Sequence, residues 1–334
     1  MTDWSWAMTA AIALAQSPDA PRGVNPRVGC VIVDPSGEII GSGYHHGAGT
    51  NHAEVEALLA AGTLARGATA VVTLEPCRHT GRTGPCTGAL IAAGISRVVY
   101  AQSDATALAG GGSVELQAAG IQVLGGIGIE EASAINRGWT HVQRTGRPFV
   151  TLKMAVTLDG RVAAADGGPT AITGHEASSY VHRLRSAVDA IMVGSGTAIV
   201  DDPLLTARLP DGSDADTQPL RVVMGERELP AGLRLFTGSV PAVQLRTRNP
   251  IEALRQLADL GVQNLLLEGG PALAGAFLEG HLVDEVVWLV APRLFGAGPL
   301  ALTHLIESAT VEVCEVERIG DDVLIRGLIT HAGD

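Results

Sequence analysis

His52-Ala53-Glu54-Val55-Glu56 and Pro76-Cys77-Arg78-His79-Thr80-Gly81-Arg82-Thr83-Gly84-Pro85-Cys86 are the segments around which this chain is organised. They offer one metal an imidazole, His52, and two thiolates, Cys77 and Cys86, with the Glu54 carboxylate two residues past the imidazole. Three protein ligands leave the fourth corner of a tetrahedral zinc open, as in a catalytic site and unlike a closed structural one. Water in that corner ionises near neutral pH. Two thiolates and a neutral imidazole balance the charge of Zn²⁺, so Glu54 is not needed as a ligand and can carry protons. Residues two apart on a regular helix face different ways. His52 and Glu54 can therefore serve one metal only in a first turn, which predicts a helix starting near His52 and a second helix with Cys86 at its start. Two other readings of the same residues stay open: a structural zinc completed by His45, His46 or His79, and a Cys77–Cys86 disulfide.

Around this pair the chain alternates between strand and helix patterns. A short helix over 8–16 precedes strands over 28–33 and 38–42, joined by a turn at Asp34-Pro35-Ser36-Gly37. The His52 helix runs to about 61, and a buried strand over 68–74 delivers Glu75-Pro76-Cys77 at its carboxyl end. A helix over 87–93, a strand over 97–101, a helix over 114–119 and a helix over 130–144 complete a first domain of 1–145. This alternation implies a sheet with helices on both faces, with ligands at strand ends and helix starts. Gly110-Gly111-Gly112-Ser113 reads as the loop before a helix, with a phosphate cradle as the functional alternative.

Thr145-Gly146-Arg147-Pro148 reads as a linker to a second alternating pattern over 149–334. Strands are expected over 149–156, 190–193, 220–224, 264–267 and 285–291, with one or two more between 311 and 329. Helices are expected over 176–186, 251–260 and 271–278. Neither G-x-G-x-x-G nor G-x-x-x-x-G-K occurs. Gly194-Ser195-Gly196-Thr197 and Glu268-Gly269-Gly270-Pro271 each follow a strand, and Pro271 suits a first helical turn. Bare backbone at a helix N-terminus can hold a diphosphate; ordinary strand-to-helix turns are the alternative.

Composition narrows the partners. The 334 residues exceed what one core usually supports, and 46% apolar content with positive mean hydropathy describes folded globular domains. Net charge is −12, and Lys153 is the sole lysine among the 23 basic residues. That balance and 3% aromatics argue against a nucleic-acid base deaminase, which needs a basic groove with stacking rings. A phosphate here must be met by a few placed arginines, which favours a small phosphorylated ligand. Cys30, Cys77, Cys86 and Cys314 make no disulfide framework, so a reducing cytoplasm fits. No signal peptide or membrane span is legible.

Zinc deaminases of nucleobases carry H-x-E followed by P-C-x-x-C; here the second cysteine follows the first by a longer, polar insertion. Asn25-Pro26-Arg27-Val28-Gly29-Cys30-Val31-Ile32-Val33, His52-Ala53-Glu54-Val55 and Leu74-Glu75-Pro76-Cys77 with His79, Gly81-Arg82-Thr83 and Cys86 resemble the deaminase half of the bifunctional riboflavin-biosynthesis deaminase/reductase family. Leu158-Asp159-Gly160, His182-x-Leu184-Arg185, Asp189-Ala190-Ile191-x-Val193-Gly194, Asp201-Asp202-Pro203-x-Leu205-Thr206-x-Arg208 and Glu268-Gly269-Gly270-Pro271 resemble its reductase half. The resemblance implies an α/β chain with an N-terminal cytidine-deaminase-like three-layer domain and a C-terminal dihydrofolate-reductase-like domain that uses NADPH. It implies zinc-dependent hydrolytic deamination of a diaminopyrimidinone carrying a ribosylamino 5′-phosphate, then reduction of the opened ribose to ribityl.

Carried over by position, Asn25, His45, His79, Arg82 and Thr83 contact the first substrate. Ala155, Thr197, Asp201 and the turn of Gly270, Pro271, Ala272, Leu273, Ala274, Gly275 and Ala276 contact NADPH. Arg185, Leu205, Arg208 and Glu268 contact the second substrate, and the two arginines suit its phosphate. Lys153 reads either as a phosphate or ribityl contact or as a structural partner of a carboxylate. Where the family has Ser-x-Trp before Ile-Thr, this chain has Pro169-Thr170-Ala171 before Ile172-Thr173, and Gly84 stands where the family often has proline. The lost stacking contact motivates a rival, an active deaminase with a silent reductase. A further rival is a non-enzymatic protein that uses zinc only to fold. The expected assembly is a homo-oligomer, dimer or tetramer.

Overall fold

In the computed structural model the chain divides into two units, Met1–Gly146 and Arg147–Asp334. The structure describes residues 3–20, 23–79, 84–106, 110–166, 168, 170–302 and 308–330.

The first unit runs α1 Ser5–Ala15, β1 Gly29–Val33, β2 Ile39–Tyr44, α2 Ala53–Ala61, β3 Thr69–Leu74, α3 Cys86–Ala93, β4 Arg97–Gln102, α4 Gly112–Ala118, β5 Gln122–Gly125, α5 Ile129–Ile135 and α6 Arg137–Thr145. Its sheet has the order β2-β1-β3-β4-β5. β1 is antiparallel to both neighbours, and β3, β4 and β5 are parallel. All of β1 is buried because helices cover both faces. Cys30 and Ile32 pack with Ala53, Ala57 and Leu90 on one side; Val31 and Val33 pack with Ala7, Met8 and Ala11 on the other. This is the three-layer arrangement the alternation implied. Small residues let the layers approach: a Cβ on Gly43 of β2 would stand 2.7 Å from Ala53 O and from Ala57 N. That closeness seats the start of α2, and His52 with it, against the sheet.

The single helix expected over 130–144 is two. Asn136 breaks it, at φ −106° and ψ 19°, because its amide pairs both ways with a distant backbone: Oδ1 accepts from Arg27 N and Nδ2 donates to Arg27 O, each at 2.9 Å. β5, four residues of which three are exposed, was not legible as a strand.

The second unit runs β6 Phe149–Thr157, α7 His175–Ala187, β7 Ala190–Gly194, α8 Ser195–Asp201, β8 Leu220–Met224, β9 Ala242–Leu245, α9 Pro250–Asp259, β10 Asn264–Leu267, α10 Pro271–Glu279, β11 Glu285–Ala291, β12 Thr310–Ile319 and β13 Asp322–Thr330. The sheet order is β12-β13-β11-β6-β10-β7-β8-β9. The six strands from β11 to β9 are parallel, and β13 turns antiparallel between β11 and β12. One face buries Val150, Leu152, Met192 and Val222 against Leu254, Leu257 and Phe277 of α9 and α10. The other buries Ile191, Val193 and Val223 with Ala198 and Leu205. Asn249 starts α9 by accepting from Ile251 N and Glu252 N, with Pro250 in the first turn. The short elements α8 and β9 lay outside the sequence expectation.

Candidate functional site

β3 ends in Glu75-Pro76-Cys77, and α2 and α3 begin at Ala53 and Cys86, so one strand end and two helix starts meet. His52 is the residue before α2, extended at φ −73° and ψ 161°. Its Nδ1 lies 3.2 Å from Cys86 Sγ and 3.5 Å from Cys77 Sγ, and all three ligand atoms lie within 4.8 Å of one another. Ligands at about 2.0–2.3 Å from a tetrahedral zinc stand roughly 3.5–3.8 Å apart, so the donor set fits that ion in both chemistry and spacing. No disulfide joins the cysteines. Among the described residues no fourth His, Cys, Asp or Glu joins the cluster.

Electrostatics favour the metal-bound state. The hydrogen bond from the Cys86 thiol lowers the Cys77 pKa to about 4, with His52 acting in the same direction. That same bond, with burial, raises Cys86. A cation offers the second thiol the compensation it lacks. Glu54, 3% exposed, has its pKa raised, chiefly by burial and against the opposing pull of its own backbone amide and His52.

Beside the metal ligands, His45 packs edge-on to the His52 ring at 5.4 Å. Its Nδ1 donates to Asn51 O at 3.2 Å, which leaves Nε2 to accept from Asn25 Nδ2 at 3.2 Å. Burial lowers the His45 pKa, and both of its ring nitrogens are engaged, by Asn51 and Asn25. His79 keeps a buried Nδ1 with no protein partner. Arg82 and Thr83 lie outside the described residues.

The second unit holds a cavity of about 700 Å³ at the carboxyl ends of β6, β7 and β10. Lys153, Ala155, Arg185, Thr197, Asp201, Leu205, Glu268, Gly270 and Pro271 line it. At its floor Arg185 donates from Nε to Glu268 Oε1 at 2.7 Å and from Nη2 to Oε2 at 3.0 Å, and Lys153 Nζ stands 3.7 Å from Oε2. Burial lowers the Lys153 pKa against the pull of Glu268. Arg185 Nη1 donates to Thr206 O at 3.2 Å, so three of its five guanidinium N–H groups are used within the protein. Burial raises the pKa of Asp201.

The segment 270–276 assigned to NADPH is the start of α10, the helix expected over 271–278. Helical periodicity takes Ala274, fully buried, into the core with Phe277, and Ala272, Leu273, Gly275 and Ala276 do not line the cavity. Arg208 is not in the lining either; it pairs across an isolated bridge with Asp214. His182 also lines the cavity. It stood in a quoted motif with no role; here its Nδ1 meets Thr206 O at 3.2 Å.

The wall from Asp201 to Ala207 is held under strain. Asp202 and Leu205 are left-handed, at φ 38° and 55°, which costs an L-residue roughly 1–2 kcal/mol. Arg221, 1% exposed, pins the wall from below by donating to Leu204 O at 3.3 Å, Thr237 O at 3.1 Å and Val240 O.

Both halves of the chain match known families. Residues 1–102 match the cytidine and deoxycytidylate deaminase zinc-binding region, and residues 148–325 match the RibD C-terminal domain. The chain is 47% identical over 307 residues to the riboflavin biosynthesis protein RibD of Mycobacterium tuberculosis, covering 90% of each. It is 38% identical over 366 residues to the Escherichia coli RibD, covering 95% of this chain and 97% of that one. The solved Acinetobacter baumannii RibD superposes with a TM-score of 0.86 at 35% identity, over 98% of this chain and 99% of that one. The Thermotoga maritima diaminohydroxyphosphoribosylaminopyrimidine deaminase/5-amino-6-(5-phosphoribosylamino)uracil reductase superposes at 0.85 and 30% identity, with the same coverage.

Proposed function

Because this chain belongs to the RibD family of bifunctional deaminase/reductases of riboflavin biosynthesis, we propose that His52, Cys77 and Cys86 hold its zinc and that Glu54 moves the protons of deamination. The observation that carries this reading is the convergence of three ligand atoms within 4.8 Å beside a buried carboxylate in the same helical turn. Zinc, when bound, supplies the Lewis acidity that makes water ionisable at about pH 7. Glu54 accepts the proton of the attacking water and passes protons to the pyrimidine ring nitrogen and the departing ammonia, so C–NH₂ and H₂O become C=O and NH₃. Its raised pKa suits a group that must hold a proton between those transfers. The Asn25–His45 pair and His79 line the approach and orient the ring. The substrate is 2,5-diamino-6-(5-phosphoribosylamino)pyrimidin-4-one, the chemistry named for the Thermotoga relative.

In the second unit NADPH, when bound, supplies the hydride that reduces C1′ of the opened ribose. Thr197, Asp201, Gly270 and Pro271 hold the cofactor, with the amide end of α10 toward its diphosphate. Lys153, Leu205 and Glu268 shape the floor beneath the ribosyl chain. Arg185 fixes Glu268, and its remaining N–H groups together with Arg208 meet the phosphate. Alignment of the two ligands is the protein's share of this step. The chain acts as a homo-oligomer, dimer or tetramer, in the cytoplasm; the exposed Val313 and Val316 of β12, at the sheet edge, support the assembly. Among the described residues no helix is long and apolar enough to cross a membrane.

An assay on the diaminopyrimidine ribosyl phosphate with zinc and NADPH, following ammonia and NADPH separately, tests both halves. Ammonia release should need zinc alone, and NADPH consumption should follow it.

A further inference from the structure

Glu75 and the glycine run Gly110-Gly111-Gly112 lie behind the two thiolates and have no part in the chemistry above. Glu75, 5% exposed, directly precedes Pro76 and Cys77. Its carboxylate accepts from Ser113 N at 2.9 Å and from Asp104 N at 3.2 Å. Ser113 is in the first turn of α4, so this side chain ties the Cys77 segment to the start of that helix. A second tie comes from the other thiolate. Thr87, next to Cys86, donates its hydroxyl to Glu115 Oε1 of α4 at 3.1 Å and its amide to Cys77 O at 3.2 Å. Between the two ties the helix backbone touches the metal loop: a Cβ on Gly112 would stand 1.9 Å from Pro76 O and 3.2 Å from Thr87 Cγ2. Gly111 precedes it at φ +89°. The run that reads as a loop or a phosphate cradle is thus filled by the protein's own chain.

We infer that the start of α4 is a brace that sets the spacing of Cys77 and Cys86, with Glu75 and Gly112 as positioning residues for zinc. This rests on the reading of His52, Cys77 and Cys86 as the ligands. His52 arrives on α2 and does not depend on the brace; the two thiolates do, because the neighbours of each, Glu75 and Pro76 on one side and Thr87 on the other, are seated against α4. Thiolates already held at the separation zinc needs bind it at less ordering cost.

The test is zinc affinity of the full chain, by competition with a chromophoric chelator, with NADPH oxidation on supplied deaminated substrate in the same sample as the report that the chain is folded. Glu75→Gln keeps the size but can accept through one atom only and turns an NH₂ toward a donor. Gly112→Ala presses a methyl group onto Pro76 O. Each should weaken zinc about 10- to 100-fold, with deamination low at limiting zinc, restored by excess zinc, and NADPH oxidation unchanged. Should Gly112→Ala fail to accumulate, Glu75→Gln decides. Unchanged zinc affinity in Glu75→Gln, or deamination still absent at saturating zinc, overturns the brace. His52→Ala, run alongside, checks the ligand reading separately: if it retains zinc, that reading falls and the brace with it.

Discussion

Arg185 grips Glu268 through two parallel contacts of 2.7 and 3.0 Å, with both side chains largely buried. Burial by itself pushes the Glu268 carboxyl up, but the charges of Arg185 and Lys153 outweigh it and hold it at about 2, below its ordinary 4.5. A carboxyl depressed in the folded state contributes stability that is complete above about pH 4.5 and is lost as pH falls toward 2. Glu268→Gln should therefore cost roughly 3–5 kcal/mol at pH 7, because it leaves two buried cations without their anion. The gap from the unmodified chain should narrow below pH 4.5 in urea unfolding, and a gap that does not change with pH would show the pairing is not the cause.

Glu54→Gln keeps the shape of the side chain and removes its base. Ammonia release should fall by about 100- to 10,000-fold, with zinc content by metal analysis and NADPH oxidation on supplied deaminated substrate unchanged. Survival of deamination would remove Glu54 from the proton path and revive a zinc that serves folding only.

Stripping zinc with a chelator should abolish ammonia release and spare NADPH oxidation, because the ligands belong to the first unit and the cavity to the second. Added zinc should restore the first activity, except in Cys77→Ser, whose donor set is incomplete. Loss of both activities together would contradict this separation.

Ala171 lines the cavity, and its carbonyl accepts from Arg293 Nη1 at 2.7 Å. Ala171→Trp should tighten NADPH binding by up to about tenfold, the worth of one stacked aromatic contact, as read by fluorescence titration. NADPH oxidation at ordinary rates by the unmodified chain would dispose of a silent reductase.

Arg221→Met should remove about 1–3 kcal/mol, since three partly buried carbonyls lose their shared donor. Release of Leu204 should also let Leu205 leave its left-handed conformation, raising the reductase KM while ammonia release continues. Equal losses in both activities would point to general unfolding instead.

How much of this was legible depended on what each claim required. The candidate metal cluster could be read because cysteine and histidine declare their chemistry by type, and their places at a strand end and two helix starts follow from local patterning. The chain alternation was legible for the same reason, since buried apolar runs such as β1 and β3 repeat on a short period. Where a distant partner intervenes, local pattern fails. Nothing near Asn136 announces the break between α5 and α6, which is made by Arg27, 109 residues away in sequence. Nothing near Arg185 announces that Glu268, 83 residues on, takes its Nε and one Nη. Gly112 looks like a flexible loop until Pro76 O is found where its Cβ would be.

By itself, then, the sequence determined the candidate metal cluster of His52, Cys77 and Cys86 and the alternation of strands and helices, because these rest on residue chemistry and short-range periodicity. Tertiary structure alone decided which carboxylate Arg185 and Lys153 pair with, and which glycine is a packing contact. Those outcomes depend on charges and backbone atoms brought together by sheet pairing across long stretches of chain, and no local run of residues encodes that distance.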